Sequence, residues 1–205
     1  MKKNKFSGRF IVFEGLDGSG KSTQVSLLDK FLRKKTKKVH CTAEPTQYLI
    51  GGLIKSWIAN DWKSSPDCLQ LLFAADRAYH LEKEIIPLLK KGVTVICDRY
   101  LFSSLAYGSL DLDFGWLLKI NEKFVLPDIT FFLDVSPEIC IERMRKERFS
   151  IELFEKKEKL EKARENFLKL KEKFDNFYII NGEKKIKEVF EKIREILERS
   201  QLIKN

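Results

Sequence analysis

The sequence predicts an α/β domain in which a parallel sheet is covered on both faces by helices, and three observations carry that prediction. Short runs rich in β-branched and aromatic residues alternate with helical patterns of ten or more residues, an alternation that requires crossover connections. The strand runs are apolar almost throughout, as strands buried on both faces are. No repeat, linker or low-complexity stretch divides the 205 residues, of which 43% are apolar and 34% charged, the size and composition of a single domain.

Taken in chain order, strands are expected at 9–14 (RFIVFE), 38–42 (KVHCT), 93–97 (VTVIC), 130–135 (TFFLDV) and 177–181 (FYIIN), each a short apolar run bounded by polar or turn residues. Helical patterns occupy 21–35, 66–91, 137–148, 151–174 and 184–200. The punctuation agrees with this reading. Gly92 follows Leu89-Lys90-Lys91 as a glycine just past a helix end, and Ser136-Pro137 supplies a cap residue and a first-turn proline.

The formal charge of +9 is unevenly spread: residues 1–40 carry eleven Lys/Arg against three Asp/Glu, residues 41–140 nine against thirteen, and residues 141–205 nineteen against fourteen. The surplus sits at the two ends, where it reads as solvated surface, and this argues against a nucleic-acid partner. No apolar run nears the eighteen or so residues of a membrane span. The basic start MKKNKFSGRF precedes no apolar signal region, so a cytoplasmic protein is expected. Cys41, Cys68, Cys97 and Cys140 form no CxxC pair and are read as buried free thiols rather than a zinc or disulfide framework.

The first strand runs directly into Gly15-Leu16-Asp17-Gly18-Ser19-Gly20-Lys21-Ser22-Thr23, a full GxxxxGKS sequence between a strand and a helix. Its glycines let backbone N–H groups turn inward around phosphates, and the helix that follows points its positive end at them. Lys21 is expected on the β- and γ-phosphates and the Ser22 hydroxyl on Mg²⁺. Such a loop serves switch GTPases, motor ATPases and small-molecule kinases alike. No guanine-reading NKxD sequence is present, and Asp113-Phe114-Gly115 lacks the HRD loop and strand lysine that would give it a protein-kinase meaning.

The strand at 93–97 ends in Asp98-Arg99-Tyr100, followed by Ser103-Ser104 and Tyr107. Carboxyl ends of parallel strands line the ligand crevice, so Asp98 and Arg99 should face the cleft that holds the glycine loop. An arginine there suits a phosphate, and an aspartate suits Mg²⁺ through water; the plainer alternative is an Asp–Arg pair closing the strand. Upstream, Phe73 and Arg77 stand four residues apart on one helix face, where core packing and a surface charge would be the ordinary explanation.

Together these motifs resemble those of the thymidylate kinases. The resemblance rests on EGLDGSGKST at 14–23, AEPT at 43–46, LLFAADR at 71–77, DRYLFSSLAYG at 98–108 and PDITFFLDVSPE at 127–138, in the family's order and spacing over about the first two-thirds of the chain. It implies a three-layer P-loop fold with a five-stranded parallel sheet flanked by helices, forming one kinase domain over 1–205 with a lid at about 143–155. It also implies transfer of the γ-phosphate of ATP to dTMP, giving dTDP and ADP on the way to dTTP, with Mg²⁺ as cofactor and a homodimer built through helices. Phe73 would stack on thymine, Arg77 would meet its carbonyl edge and Ser104 would face N3. Tyr107 would lie against the deoxyribose, Asp17 would bind the 3′-hydroxyl, and Arg99 would grip the 5′-phosphate beside Asp98, with Glu44, Gln47 and Ser103 in the same site. The chain departs from the family's pattern at Ala43, Gln47 and Gly108.

The phosphate oxygen of dTMP is already anionic near neutral pH, so the reaction needs no strong general base, in keeping with only two histidines: His40 in a strand and His80 on a helix face. Catalysis would come from positioning and from cations: Lys21, Arg99, Mg²⁺ and one further arginine. The family takes that arginine from the P-loop or from a mobile lid. Leu16, Gly18 and Ser19 leave none in the loop, which directs attention to the lid, with Arg148 first and Arg143 and Arg145 as alternatives. Asn181-Gly182 reads either as a turn or as packing on adenine, and Glu155 either as a nucleotide neighbour or as a helix-face residue. Two rival functions stay open on sequence alone: a kinase for another acceptor such as dUMP, and a non-enzymatic P-loop protein that binds nucleotide or nucleic acid.

Overall fold

The five expected strands pair in one parallel sheet, and each lies within a residue of its predicted position at either end. The computed structural model describes residues 1–35, 38–145, 153–200 and 202, with the side chains of 145 and 153–156 outside the description. In chain order the elements are β1 (Lys2–Lys3), β2 (Phe10–Gly15), α1 (Lys21–Lys35), β3 (Val39–Ala43), α2 (Leu49–Ile58), α3 (Pro66–His80), a π-helical turn (Leu81–Ile85), α4 (Ile86–Lys90), β4 (Thr94–Asp98), α5 (Leu101–Gly108) and α6 (Phe114–Asn121). Then come β5 (Val125–Leu126), β6 (Ile129–Asp134), α7 (Pro137–Arg145), α8 (Leu153–Leu170), β7 (Phe177–Asn181) and α9 (Ile186–Arg199). The main sheet has the order β3-β4-β2-β6-β7, and β1 pairs separately with β5.

This order places β2 at the centre, with chain excursions first to one side (β3, β4) and then to the other (β6, β7). The crevice at such a reversal is where ligands bind in open parallel sheets. Register fixes what lines it: Phe13 pairs with Asp98 and Gly15 with Leu133, so the loop after β2 emerges between the ends of β4 and β6.

Both faces of β2 are buried, and its side chains alternate between two cores. Phe10 and Val12 join Leu89, Leu101, Leu105, Phe132, Phe167 and Phe177 on one face, while Ile11 and Phe13 join Leu28, Phe131, Ile193 and Leu197 on the other. Phe132 stacks on Phe167 at 4.8 Å and on Phe177 at 5.9 Å. Burying a side chain of this size contributes about 1.5–3 kcal/mol, so the central strand is anchored from both sides and the loop at its end is held on a rigid support.

Six elements depart from the sequence reading, two of them the two-residue strands β1 and β5, which were not expected. The helix expected at 66–91 is interrupted by the π-helical turn, which ends two residues before Pro87; a proline cannot donate the backbone bond that a regular helix requires, and the widened turn absorbs the loss. Helices α2, α5 and α6 were not expected. The first carries Gly51-Gly52 and exposed Leu49, Leu53 and Ile58, and the other two are eight residues each, too short and too apolar for a period of 3.6 to stand out.

Candidate active site

Between the end of β2 and the start of α1 the chain turns through positive φ at Gly18 (81°) and Gly20 (93°). A Cβ on Gly18 would lie 2.5 Å from the Cys140 carbonyl oxygen, whereas one on Gly20 would meet nothing within 4 Å. The first glycine therefore lets the loop pack against α7, and the second leaves its outer surface open. The fifteen-residue α1 starts at this opening, and Ser19 Oγ is buried there without a hydrogen-bond partner, a cradle suited to an anion. Leu16, expected at the nucleotide, turns its side chain into a core with Val135 and Cys140 and offers only backbone.

Lys21 is buried, with its ammonium donating to the carbonyls of Leu16 (2.9 Å) and Gly15 (3.2 Å). Burial, with the Arg99 charge adding to it, pushes its pKa down to about 8. Incoming phosphate would reverse that shift. Ser22 Oγ donates to Asp98 Oδ2 at 3.1 Å, which brings the hydroxyl and the carboxylate expected at the cation onto one spot. Thr23 lies on the nucleotide side, in the lining of a cavity described below.

Arg99 has φ 67°, a left-handed conformation that costs a non-glycine residue about 1–3 kcal/mol and clusters at functional sites. Its N–H donates to the Phe13 carbonyl at 2.8 Å, and its guanidinium reaches Asp17 Oδ1 (2.7 Å) and Ser103 Oγ (2.9 Å), with the Tyr107 ring 5.5 Å away. Behind this group lies a residue the sequence reading did not single out. Glu14 is fully buried and accepts from the N–H groups of Tyr100 (3.0 Å) and Ser103 (3.1 Å) and from Ser103 Oγ (2.6 Å). It caps the start of α5 from β2, and burial raises its pKa to about 7 despite those bonds. Its place in the EGLDGSGKST run was the available signal.

On the far side of the crevice Arg77 is buried, not a surface charge. It donates to Glu44 Oε2 (2.9 Å), Asn121 Oδ1 (2.6 Å) and Ser104 Oγ (3.2 Å), with the Tyr100 ring 5.2 Å away. Phe73 is half-buried one turn earlier on α3. Asn121, on α6, was missed because nothing in its local sequence marks it. His80 is likewise fully buried, bonded to Glu44 and Thr42, rather than simply lying on a helix face.

A cavity of 250 Å³ lies on the other flank of the loop, lined by Ser19, Gly20, Thr23, Arg143, Gly182 and Lys184 among others. Arg143, on α7, bridges its walls by donating to the carbonyls of Gly18 and Ser19 (both 3.4 Å) and Gly182 (3.2 Å). Asn181 is not in that lining; its Oδ1 accepts from the Glu183 N–H at 3.0 Å and shapes the turn. Arg148 lies outside the described residues, as do the side chains of Arg145 and Glu155. Of the three departures from the family pattern, Ala43 and Gln47 line an open groove of 680 Å³ that also reaches Ser22 and Asp98. Gly108 has a packing reason: a Cβ there would lie 2.8 Å from Leu117 and 3.2 Å from the Gln70 amide.

The fold, the glycine loop with Lys21 at the end of β2 and Arg99 beside it at the end of β4 define a P-loop kinase of the small-molecule type. The thymidylate kinase family profile matches residues 13–193. A probable thymidylate kinase of Pyrococcus abyssi is 42% identical over 91% of this chain and 94% of its own length, and a thymidylate kinase of Thermosipho africanus is 38% identical over 93% and 98%. The crystal structure of a thymidylate kinase from Ehrlichia chaffeensis superposes with a TM-score of 0.75 at 28% identity, covering 93% of this chain and 98% of that one. The chain belongs to the thymidylate kinase family.

Proposed function

We propose that this chain transfers the γ-phosphate of ATP to dTMP, giving dTDP and ADP, as a single P-loop kinase domain whose lid spans about 143–155. The observation that carries the reading is the juxtaposition of the glycine loop and the Asp98-Arg99 pair on adjoining strand ends, tied together by the 2.7 Å Arg99–Asp17 and 3.1 Å Ser22–Asp98 bonds. A protein that only binds or hydrolyses ATP needs the first; a phosphotransferase needs both, in contact.

In the reaction a phosphate oxygen of dTMP forms a bond to the γ-phosphorus while the bond to the β–γ bridging oxygen breaks, and its electron pair leaves with ADP. Lys21, with Arg143 and a lid arginine, would offset charge on the ATP phosphates, and Arg99 would hold the dTMP phosphate in line. Asp17 would take the 3′-hydroxyl, Tyr107 the deoxyribose, and Phe73, Arg77 and Ser104 the thymine, with Glu44, Gln47 and Ser103 completing the wall. Ser22 and Asp98 offer the hard oxygen donors Mg²⁺ prefers, and no group of three or more His, Cys, Asp or Glu among the described residues could hold a metal alone, so the nucleotide itself would supply further ligands. When bound, Mg²⁺ neutralises charge on the β- and γ-phosphates.

We also propose a cytoplasmic homodimer. Leu49, Leu53, Ile58, Leu71 and Tyr79 form an exposed apolar set on α2 and α3, the kind of surface a second copy covers, and the four cysteines are unpaired thiols, as reducing surroundings keep them; Cys97 and Cys140 are buried as expected, but Cys41 is exposed and Cys68 partly so. Among the described residues no helix is long and apolar enough to cross a membrane.

ADP release measured over a panel of monophosphates tests the function. The expected result is turnover that depends on acceptor and is fastest with dTMP. Turnover without any acceptor dependence overturns the kinase reading, and preference for a purine acceptor or for dUMP overturns the thymidylate one.

A further inference from the structure

The Glu44 carboxylate divides its two oxygens between two partners. Oε2 accepts from Arg77 Nε at 2.9 Å and lies 2.8 Å from NH2, while Oε1 takes the His80 Nδ1 at 3.2 Å. A carboxylate that faces a guanidinium ordinarily offers both oxygens as a fork. Here the imidazole holds the second one, and Nδ1 must carry the shared proton because an ionised carboxylate only accepts.

His80 is itself held firmly. It is fully buried, its Nε2 lies 2.8 Å from Thr42 Oγ1 on β3, and Glu84 Oε2 is 3.7 Å away, where the helix widens into the π-helical turn. Glu84 is engaged in turn by His40 Nε2 at 2.7 Å and the Tyr48 hydroxyl at 3.0 Å. Both ring nitrogens of His80 are thus committed.

We infer that His80 is a positioning residue for base recognition: by occupying Oε1 it stops Glu44 from forking onto Arg77, and so keeps the guanidinium beside Ser104. The inference rests on the reading above in which Arg77 and Ser104 meet the pyrimidine. Released from His80, Glu44 turns to offer Nε and NH2 both oxygens, which draws NH2 off the Ser104 hydroxyl, now 3.2 Å away. Neither Lys21 nor Arg99 shares a hydrogen-bonding side chain with His80, so the phosphate machinery stays in place.

The test exploits the asymmetry of the ring. An asparagine amide nitrogen overlays the position of Nδ1, the atom on Glu44, whereas a glutamine amide overlays Nε2, the atom on Thr42. Steady-state kinetics of the full chain with dTMP and ATP should show KM for dTMP raised about tenfold in His80→Gln, the loss of one charge-assisted contact. In His80→Asn it should stay within about threefold, and KM for ATP should be unaltered in both. Equal dTMP KM values in the two variants, or ATP KM and kcat moving in step with them, would reduce His80 to core packing and overturn the inference. Thermal melts establish that both fold; if either does not, Thr42→Ala against Thr42→Ser asks the same question without touching the ring, with KM for dTMP expected to rise only in the alanine variant and equal values overturning the inference. Absence of dTMP-dependent turnover in the unsubstituted chain is a separate failure: it overturns the function itself, and this inference with it.

Discussion

The proposed phosphate side of the site is made of backbone and two short stretches of sequence, 15–23 and 98–103: positive-φ turns at Gly18, Gly20 and Arg99, the start of a helix, and, within each stretch, side chains only a few residues apart. Lys21 is buried, but the Arg99 side chain keeps 16% of its surface and the Asp17 side chain that pairs with it is 70% exposed. The proposed base side is made of buried side chains from separate elements, with Arg77 on α3, Glu44 after β3, Ser104 on α5 and Asn121 on α6, and Arg77 is 1% exposed. Arg99, proposed to meet a mobile phosphate, is left nearer solvent, to be neutralised by its ligand. Arg77, proposed to read a flat base, is desolvated, so the protein itself supplies the counter-ion, because an unpaired buried ion costs several kcal/mol.

That contrast can be broken by substitution. Arg99→Ala should lower kcat for dTMP about 10³-fold or more, with ATP binding retained and little change in melting temperature, checked by kinetics and a nucleotide-binding titration. Arg77→Ala should do the reverse in kind: it leaves Glu44 buried without its cation and should cost about 3–5 kcal/mol of stability, measured by denaturant unfolding. Equal destabilisation by the two substitutions would erase the distinction between the halves of the site.

A smaller effect sharpens the boundary between them. Glu14 sits under the phosphate side yet is as buried as the base side, with its pKa raised from 4.5 to about 7. The folded chain therefore binds more protons than the unfolded one between those values. Stability falls as pH rises through that window and levels off above about pH 7, with a contribution on the order of 3 kcal/mol. In Glu14→Gln this component should vanish from the pH dependence of unfolding; an unchanged profile would show that Glu14 keeps an ordinary carboxyl.

Residues legible in the sequence share one property, a local signal. The GxxxxGKS run, the apolar strands, Gly92 and the Asp98-Arg99 pair at a strand end each announce a backbone requirement within a few positions. Arg77 and Phe73 were legible only as a helix-face pair joined to the family resemblance, and the ordinary expectation for such an arginine was exposure. Asn121 and the roles of Glu14 and His80 were not legible, since nothing next to a buried polar residue in sequence says what it touches. Helix α2 was hidden for a related reason: its exposed apolar side chains and paired glycines contradict the pattern by which helices are recognised.

The sequence alone determined the layers of the fold, the strand that carries the phosphate loop and the residues that form it, because strand periodicity, glycine punctuation and a helix start are short-range properties of the chain. Only the tertiary structure decided which carboxylate faces which cation. Glu44, one residue past β3, carries no local sign of its partners, and only the folded chain brings it against Arg77 and His80 of α3. Arg143 gained a place on the glycine loop only because α7 packs where Gly18 allows a close approach. The pairing of buried charges depends on contacts between residues tens of positions apart, and their strength comes from desolvation that exists only once the layers have closed.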